Sequence, residues 1–200
     1  MTKQSIRNEV LQARDIMNPM IRDMLSNTIT DNLIRTEIFI SSRIVFLYSS
    51  FRNEVDTVEL IEYALKQGKK VALPCSYMSQ GVPKMDFYYI NSRTDLVPGY
   101  QGILEPDRRK PHVVKALDMP DSIIVPGVAF DYNMNRIGYG AGFYDTFLAE
   151  NNYVNYSMKP YLIGICYDFQ TGYDIEPDPN DVRMNVIVTE NGVYYGERIF

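Results

Sequence analysis

The residues of this chain best suited to chemistry lie in one glycine-rich stretch, residues 136–145, with the sequence RIGYGAGFYD. Gly138, Gly140 and Gly142 occupy alternate positions. Because glycine has no Cβ and accepts positive φ, backbone N–H groups here can converge on a phosphate where a helix begins. Arg136 supplies a positive charge and Asp145 a hard oxygen ligand, which together suit a nucleotide with its Mg²⁺ ion. We call residues 136–145 the glycine turn.

Spacing alone does not establish that this turn binds an anion. Glycines before a helix are often only turn geometry, and an acid in a first helical turn, such as Asp145, is favoured by the helix dipole without any metal. Two familiar nucleotide loops are excluded, however. Phe143 stands where a GxGxxG fingerprint needs its last glycine, and no Gly-Lys-Ser/Thr follows to form a P-loop. The glycine turn is therefore a candidate anion-binding site of neither standard type.

A basic stripe near the start of the chain is a second candidate for binding phosphates. Lys3, Arg7 and Arg14 fall within about 40° of one another when a helix turns by roughly 100° per residue. Lysine and arginine bind phosphates, but the same stripe is typical of a solvated helix surface. Both interpretations stay open.

Length and charge limit the class of protein. The 200 residues suit one domain, spanning 1–200, with a core of its own. A formal charge of -5 disfavours nucleic acid or an anionic membrane as the main partner. No stretch has the roughly 20 apolar residues that span a bilayer. We therefore expect a soluble, cytoplasmic protein, a monomer or weak homodimer, whose partners are small molecules.

Cysteine and histidine indicate neither covalent chemistry nor a metal site. Cys75 and Cys166 are far apart and in apolar surroundings, which predicts two buried, reduced thiols rather than a disulfide or a CxxC site. His112, the one histidine, lies in a polar segment with no Ser or Cys partner suggested. A hydrolase triad therefore finds no support, and His112 is expected at the surface.

Apolar periodicity predicts the elements that must position these residues. Helices are expected at 3–17, 19–40, 56–66 and 144–150, and strands at 44–48, 70–74, 85–90, 122–126, 161–167, 185–189 and 193–199. Because strands alternate with helices, we predict a three-layer α/β sandwich, Rossmann-like, with a largely parallel central sheet flanked by helices. Residues 98–111 are expected to form a long loop, either ligand-facing or peripheral.

Several stretches together resemble one known family in order and approximate spacing. They are VPGVAFD (125–131) and the glycine turn, KQSIR (3–7) with Arg14, NEVDT (53–57), VALP (71–74), ILEP (103–106), KPYLIG (159–164) and NDV (180–182). On these residues nearly the whole chain resembles the 5-formyltetrahydrofolate cyclo-ligases, also called methenyltetrahydrofolate synthetases. The resemblance implies conversion of 5-formyltetrahydrofolate into 5,10-methenyltetrahydrofolate, with ATP and Mg²⁺, through a phosphorylated formyl (iminium phosphate) intermediate and with release of ADP and phosphate.

The resemblance also implies roles for individual residues. ATP would be bound by Lys3, Arg7, Arg14, Arg136, Ile137, Gly138, Tyr139, Gly140, Ala141, Gly142, Phe143 and Tyr144. The folate would be bound by Glu54, Met85, Tyr139, Phe143 and Tyr144, with the Glu54 carboxylate accepting hydrogen bonds from the aminopterin edge. Asp145 and Asp181 would bind Mg²⁺ directly or through water. Arg136 and Tyr144 would act on the reacting groups, the Tyr144 hydroxyl near the formyl group.

Local structure offers alternatives to some of these roles. Glu54 is otherwise a loop acid, Asp181 a turn acid, and Met85 one face of a half-buried strand.

The sequence also departs from the family pattern. Phe143 stands where relatives usually have Tyr, and Cys75 where many have a basic residue. Residues 132–135 (YNMN) replace a turn that commonly carries Gly before the Arg, although Asn tolerates the left-handed conformation.

Two other functions remain possible from the sequence. One is a phosphosugar-handling α/β protein that uses the glycine turn for a substrate phosphate. The other is a nucleotide-binding regulatory module without turnover. The acids Asp145 and Asp181, together with the basic stripe, favour ATP and Mg²⁺ over a phosphosugar, and the retained charged residues disfavour a module without activity.

Overall fold

The computed structural model describes residues 1–153 and 160–196. Lys159 of the KPYLIG stretch and the last part of the strand predicted at 193–199 lie outside the described residues. The helices are α1 (Lys3–Asp15), α2 (Pro19–Ile34), α3 (Glu37–Ser41), α4 (Val58–Lys66) and α5 (Phe143–Glu150). The strands are β1 (Ile44–Phe46), β2 (Lys70–Ser79), β3 (Val82–Ile90), β4 (Leu96–Pro98), β5 (Leu104–Pro106), β6 (Ser122–Val125), β7 (Ala129–Phe130), β8 (Arg136–Ile137), β9 (Tyr161–Ile165), β10 (Val186–Thr189) and β11 (Gly192–Tyr195).

Seven of these strands form one sheet in the order β11-β10-β9-β6-β1-β2-β3. The inner neighbours β10, β9, β6, β1 and β2 pair in parallel, whereas the edge strands β11 and β3 pair antiparallel with β10 and β2. Helices cover both faces of this sheet. The predicted three-layer α/β fold with a largely parallel central sheet is confirmed.

Both faces of the sheet are buried because successive residues of a strand point to opposite sides. Val45 and Leu47 belong to a core shared with α2, α3 and α4, whereas Phe46 between them belongs to a second core shared with α5. All four residues of β6 are buried. Strands enclosed on both faces need apolar residues throughout, which explains why β6 reads as a continuous apolar run after its first serine.

The chain reverses its direction across the sheet between β1 and β6. From β1 it continues through α4 to β2 on one side, and from β6 through α5 to β9 on the other, with α4 and α5 on opposite faces. The segments that leave the carboxyl ends of β1 and β6 therefore diverge. They open the crevice in which open α/β sheets bind their ligands.

Helix α1 and the hairpin formed by β7 and β8 lie together in a third apolar cluster. The buried residues of this cluster are Ile6, Val10, Val128, Ala129, Ile137 and Ile175. Residues on α1 and β8 are thereby held next to each other, although more than a hundred positions separate them in the sequence. None of the helices described in 1–153 and 160–196 is long and apolar enough to cross a membrane.

Three element predictions need correction. The helix expected at 19–40 is divided because the Thr36 hydroxyl donates to Leu33 O at 2.8 Å, ending α2, and accepts from Phe39 N at 3.2 Å, starting α3. Residues 98–111 are not one long loop, since β4 and β5 pair antiparallel in a small separate sheet. The strands expected at 70–74 and 85–90 are longer at their connected ends, forming a ribbon that reaches Ser79 and Val82.

Candidate active site

A cavity of about 520 Å³ lies at the crevice between β1 and β6. Its walls come from the segments after these strands, the start of α1, the glycine turn and the hairpin of β4 and β5. Among the predicted site residues, those that line it are Lys3, Arg7, Glu54, Met85, Arg136, Ile137, Gly138, Tyr139, Gly140, Ala141, Gly142, Phe143, Tyr144, Asp145 and Asp181. The fold therefore brings together residues from five separate parts of the sequence: the start of α1, the segment after β1, strand β3, the glycine turn and the segment that carries Asp181.

The glycine turn connects β8 to α5, and glycine is required there for backbone conformation and for space. φ is +97° at Gly140 and +76° at Gly142, the residue before α5. At Gly138 a Cβ would lie 2.8 Å from Arg136 Nη1. No side chain in the described part of the chain caps the start of α5. Its first-turn N–H groups, which have no acceptor within a helix, are thus suited to an anion.

Arg136 and Asp145, at the two ends of the glycine turn, form an ion pair. Arg136 Nη2 lies 2.6 Å from Asp145 Oδ1, and Nη1 donates to the carbonyl of Pro126 at 3.2 Å. The Arg136 side chain is 4% exposed and that of Asp145 is 30% exposed. Arg136 Nε is buried and has no hydrogen-bond partner within residues 1–153 and 160–196. The cavity wall thus contains a desolvated positive charge with an unused donor.

Lys3 and Asp181 are also paired, together with Asp178, an acid that the sequence analysis did not select. Lys3 Nζ lies 2.5 Å from Oδ2 of each carboxylate, and Asp178 N donates to Asp181 Oδ2 at 2.9 Å. Partial burial disfavours the Lys3 ammonium, but the two carboxylates more than offset this effect, so the pKa of Lys3 is raised. On the same helix, Arg7 Nε donates to Gly138 O at 2.9 Å.

Glu54, which follows β1, is a buried carboxylate with 8% exposure. Its Oε2 accepts from Phe51 N at 2.8 Å, and the Tyr139 hydroxyl is a further hydrogen-bond partner. Burial raises the pKa of Glu54 above its ordinary value, while the Phe51 amide, Arg14 and Tyr139 act in the opposite direction. A buried carboxylate in a cavity wall is suited to a ligand that donates hydrogen bonds.

Aromatic and apolar side chains supply the rest of the predicted folate wall. The Tyr144 hydroxyl is buried and finds no hydrogen-bond partner among the described residues. Burial raises its pKa, and Glu54 raises it further against the opposing Arg136, so the hydroxyl stays protonated at neutral pH. The Phe143 ring packs edge-on against Tyr100, with ring centroids 5.5 Å apart, and Met85 is almost fully buried. Such walls suit a flat ring system with one hydrogen-bond acceptor.

The structure does not bring Arg14, predicted to assist with ATP phosphates, into the cavity beside Lys3 and Arg7. Arg14 is 2% exposed and is not part of the cavity lining. Its Nε donates to Asn53 O at 3.0 Å, and its guanidinium carbon lies 5.7 Å from the centroid of the Tyr139 ring. The reason is the length of α1, since Arg14 lies about 10 Å farther along the helix axis than Arg7 and faces the segment after β1.

The two cysteines, His112 and the turn at 132–135 lie outside the cavity lining. Cys75 and Cys166 are free and buried, as predicted. His112 is exposed, as predicted, and its Nε2 lies 2.8 Å from Asp95 Oδ1. In the turn at 132–135 the residue with positive φ is Met134, at 68°, and not an asparagine.

Part of the cavity lining is not predicted from the sequence. The missed residues are Tyr48, Ser49, Phe51, Arg52, Pro74, Ser76, Tyr100, Gln101, Ile103, Glu105, Pro126 and Asp178. Many of them directly follow β1 or β6, and the rule that ligands bind at the carboxyl ends of strands next to a change of direction identifies such positions. Tyr100 and Glu105 lie in the stretch 98–111, for which the sequence left a ligand-facing and a peripheral position open, and the structure places both residues in the cavity lining.

The acidic residues fit only one kind of metal binding. No group of three or more His, Cys, Asp or Glu side chains in the described ranges is placed to hold a metal ion. Asp145 and Asp181 line the cavity, but each is bonded to a cation, Arg136 or Lys3. Mg²⁺ often uses only one or two carboxylates together with substrate phosphates. The donors therefore fit an ion carried by a nucleotide and not a preformed metal centre.

Comparison with known proteins gives one consistent result. Residues 1–190 match the model of the 5-formyltetrahydrofolate cyclo-ligase family. The 5-formyltetrahydrofolate cyclo-ligase of Saccharomyces cerevisiae is 31% identical over 96% of both chains, and that of Escherichia coli K12 is 28% identical over 92% of this chain and 98% of its own. The NMR structure of Aquifex aeolicus 5,10-methenyltetrahydrofolate synthetase has a TM-score of 0.80 and 32% identity, covering 98% of this chain and 94% of that one.

Proposed function

Because the chain belongs to the 5-formyltetrahydrofolate cyclo-ligase family, we propose that it converts 5-formyltetrahydrofolate into 5,10-methenyltetrahydrofolate using ATP. The observation that carries this proposal is the shared cavity. Cations suited to phosphates, the start of α5, and a buried carboxylate with aromatic walls all line the same space. A nucleotide and a pterin bound in this space would therefore be adjacent, as transfer of a phosphoryl group between them requires.

The proposed reaction has two steps. The formyl oxygen attacks the γ-phosphorus of ATP, the bond to the bridging oxygen breaks, and ADP leaves, giving an N5-iminium phosphate. N10 then attacks the activated carbon, the carbon–oxygen bond breaks, phosphate leaves, and N10 loses its proton. Neither step needs a nucleophilic side chain, because phosphoryl transfer depends mainly on positioning and on charge stabilisation.

The phosphate side of the proposed site is formed by α1 and the glycine turn. Lys3, Arg7 and Arg136 supply positive charge, and the N–H groups at the start of α5 supply further donors. Asp145 and Asp181 would hold a Mg²⁺ ion, which neutralises phosphate charge when it is bound. Each acid is paired with a cation in the structure. When a nucleotide is bound together with Mg²⁺, Lys3 and Arg136 would face its phosphates, and Asp145 and Asp181 would face the metal ion.

The folate side of the proposed site is formed by Glu54 and the aromatic residues. Glu54 would accept paired hydrogen bonds from the aminopterin edge, as its remaining acceptor capacity permits. The Tyr144 hydroxyl would donate to the formyl oxygen or to the transferred phosphoryl group, because it is buried, protonated and without a partner in the described ranges. Tyr139, Phe143 and Met85 would enclose the pterin.

The direct test is to mix the purified protein with 5-formyltetrahydrofolate, ATP and Mg²⁺, and to follow the absorbance of methenyltetrahydrofolate together with ADP release. We expect one ADP for each methenyltetrahydrofolate formed, and no product when ATP or Mg²⁺ is omitted. Absence of product at saturating substrates would contradict the proposed activity. Product without ATP would contradict the phosphorylated intermediate.

Two variants, each with a matched control, test the division of the site into a phosphate side and a folate side. Asp145→Asn should lower the affinity for the nucleotide–Mg²⁺ complex by roughly 10- to 100-fold, the value of one hydrogen bond or ion contact to a charged group. Glu150→Gln, on the same helix but outside the cavity lining, should leave it unchanged. Glu54→Gln should raise KM for the folate with little change for ATP, with Glu59→Gln on α4 as its control. Equal effects on both substrates would contradict this division.

A further inference from the structure

Arg14 differs from the other two basic residues of α1 in what it contacts. Lys3 and Arg7 line the cavity, whereas Arg14, in the last turn, is 2% exposed and lies behind the cavity wall. A buried arginine that stays charged is unfavourable unless opposite charge or acceptors compensate for its desolvation. Its surroundings must therefore supply that compensation.

The compensation comes from the segment that carries Glu54. Arg14 Nε donates to the carbonyl of Asn53, the residue before Glu54, at 3.0 Å. The guanidinium also lies over the ring of Tyr139, at 5.7 Å, and the hydroxyl of Tyr139 is hydrogen-bonded to Glu54. Arg14 Nη1 is buried and unpartnered in the part of the chain that the structure describes. Arg14 is therefore linked to Glu54 in two indirect ways: through the backbone of Asn53, and through Tyr139.

The charge balance around Glu54 depends on few groups. Among residues 1–153 and 160–196, the titratable and charged groups that interact electrostatically with it, from α1, the segment after β1, the glycine turn and α5, are Arg14, Tyr48, Tyr139 and Tyr144. The three tyrosines are neutral at physiological pH, because burial raises the pKa of each. Arg14 is the member of this set that supplies a full positive charge.

We propose that Arg14 is a positioning residue for the folate half of the site: it fixes Asn53 and Glu54 in place and supplies the positive charge that faces the Glu54 carboxylate. The inference rests on the proposed function, in which Glu54 binds the aminopterin edge. It assigns the basic residues of one helix to two substrates, with Lys3 and Arg7 on the phosphate side and Arg14 on the folate side.

The test compares Arg14→Gln, which removes the charge, with Arg14→Lys, which keeps it. Arg22→Gln is the matched control, because Arg22 Nη1 donates to the side chain of the same Asn53, at 3.3 Å, and Arg22 lies outside the cavity lining. Three quantities are measured: KM for each substrate, the dissociation constant of 5-formyltetrahydrofolate in the absence of ATP, and the pH profile of kcat/KM for the folate. Circular dichroism and thermal unfolding show whether each variant is folded.

We expect Arg14→Gln to raise KM and the dissociation constant for the folate at least about tenfold, the value of one hydrogen bond to a charged group, with KM for ATP within about twofold. The acid limb of the folate profile should move to higher pH, because Glu54 loses the charge that lowers its pKa. In Arg14→Lys the acid limb should stay near the wild-type position, because the charge is kept, while KM for the folate should rise, because lysine lacks the Nε donor to Asn53 O. In Arg22→Gln nothing should change. A merely structural role of Arg14 does not move a pH profile.

The outcomes are decisive in either direction. An unmoved acid limb in folded Arg14→Gln, or an equal rise in KM for both substrates, overturns the proposal. Should Arg14→Gln fail to fold, Arg14→Lys decides alone: a rise in folate KM without a rise in ATP KM supports the proposal, and equal rises, or none for the folate, overturn it. A wild-type protein that makes no product contradicts the proposed function itself, which separates that failure from a failure of this inference.

Discussion

Gly138→Ala is the substitution that most directly tests how the glycine turn holds Arg136. φ of Gly138 lies outside the left-handed region, so alanine causes no backbone strain there. The added Cβ would lie 2.8 Å from Arg136 Nη1, whereas ordinary contact begins at 3.4 Å. The guanidinium must therefore retreat by about 0.6 Å, the difference between these two distances.

The structure indicates what this retreat costs. Nη1 donates to Pro126 O at 3.2 Å, already the long end of the range for such bonds, so a shift of this size breaks it or misaligns Nη2 with Asp145. A hydrogen bond made by a charged group contributes about 1.5–3 kcal/mol. At 1.4 kcal/mol for each factor of ten, affinity for the nucleotide–Mg²⁺ complex should fall roughly 10- to 100-fold.

Isothermal titration with a non-hydrolysable ATP analogue and Mg²⁺ measures this loss, and a double-mutant cycle assigns its cause. In an Arg136→Lys background the Nη1 atom is gone, so adding alanine at Gly138 should change affinity less than about twofold. Thermal unfolding confirms that each variant is folded. If alanine weakens binding equally in both backgrounds, or has no effect in the wild type, contact with Arg136 is not the reason for glycine at this position.

Three further outcomes follow from the structure. Gly164→Ala places a Cβ 2.5 Å from the ring of buried Phe130. The free energy of unfolding, measured in urea, should therefore fall by about 1–3 kcal/mol. In a Phe130→Leu background the same substitution should lower it by a smaller amount. Asp178→Asn leaves Lys3 with one carboxylate partner, so its ammonium is freer to bind phosphate. Titration calorimetry should show that the affinity for ATP without Mg²⁺ rises by up to about fivefold. Weaker binding would contradict this reasoning. Asp95 accepts from two backbone amides and two side chains, which hold its pKa well below the unfolded value despite burial. Its stabilisation is therefore present above about pH 4 and lost as pH falls, so the stability deficit of Asp95→Asn should shrink below pH 4.

The parts of the site that the sequence predicts well are those in which local chemistry decides the structure. In the glycine turn the requirement for positive φ at Gly140 and Gly142, and for space at Gly138, is a property of a few neighbouring residues. The chemistry assigned to the turn from its residue types therefore fits the cavity in which the structure places it. Glu54 and Asp181, distant in sequence and predicted from the family resemblance, line the same cavity.

The parts that the sequence did not predict depend on tertiary contacts. A stripe of three basic residues on one helix face carries no information about where a cavity ends, so Arg14 was grouped with Lys3 and Arg7. The hairpin of β4 and β5 was missed because each strand has three residues, too few for periodicity to show. The break between α2 and α3 lies at Thr36, whose hydroxyl bonds the end of one helix and the start of the next, and apolar periodicity does not reveal such a bond.

The position of Tyr139 explains why these contacts matter for a reaction between two substrates. It lies in the middle of the glycine turn, and its ring and hydroxyl contact Arg14 and Glu54. Arg7, on the same helix as Arg14, bonds the carbonyl of Gly138 next to it. Helix α1 therefore holds the glycine turn at one point and the segment of Glu54 at another. In the proposed reaction, this one helix would set the distance between the phosphate and pterin sites. Phosphoryl transfer is sensitive to such distances at the scale of 1 Å, and on the proposed function this requirement would account for an arginine at position 14 that is buried and lies outside the cavity lining.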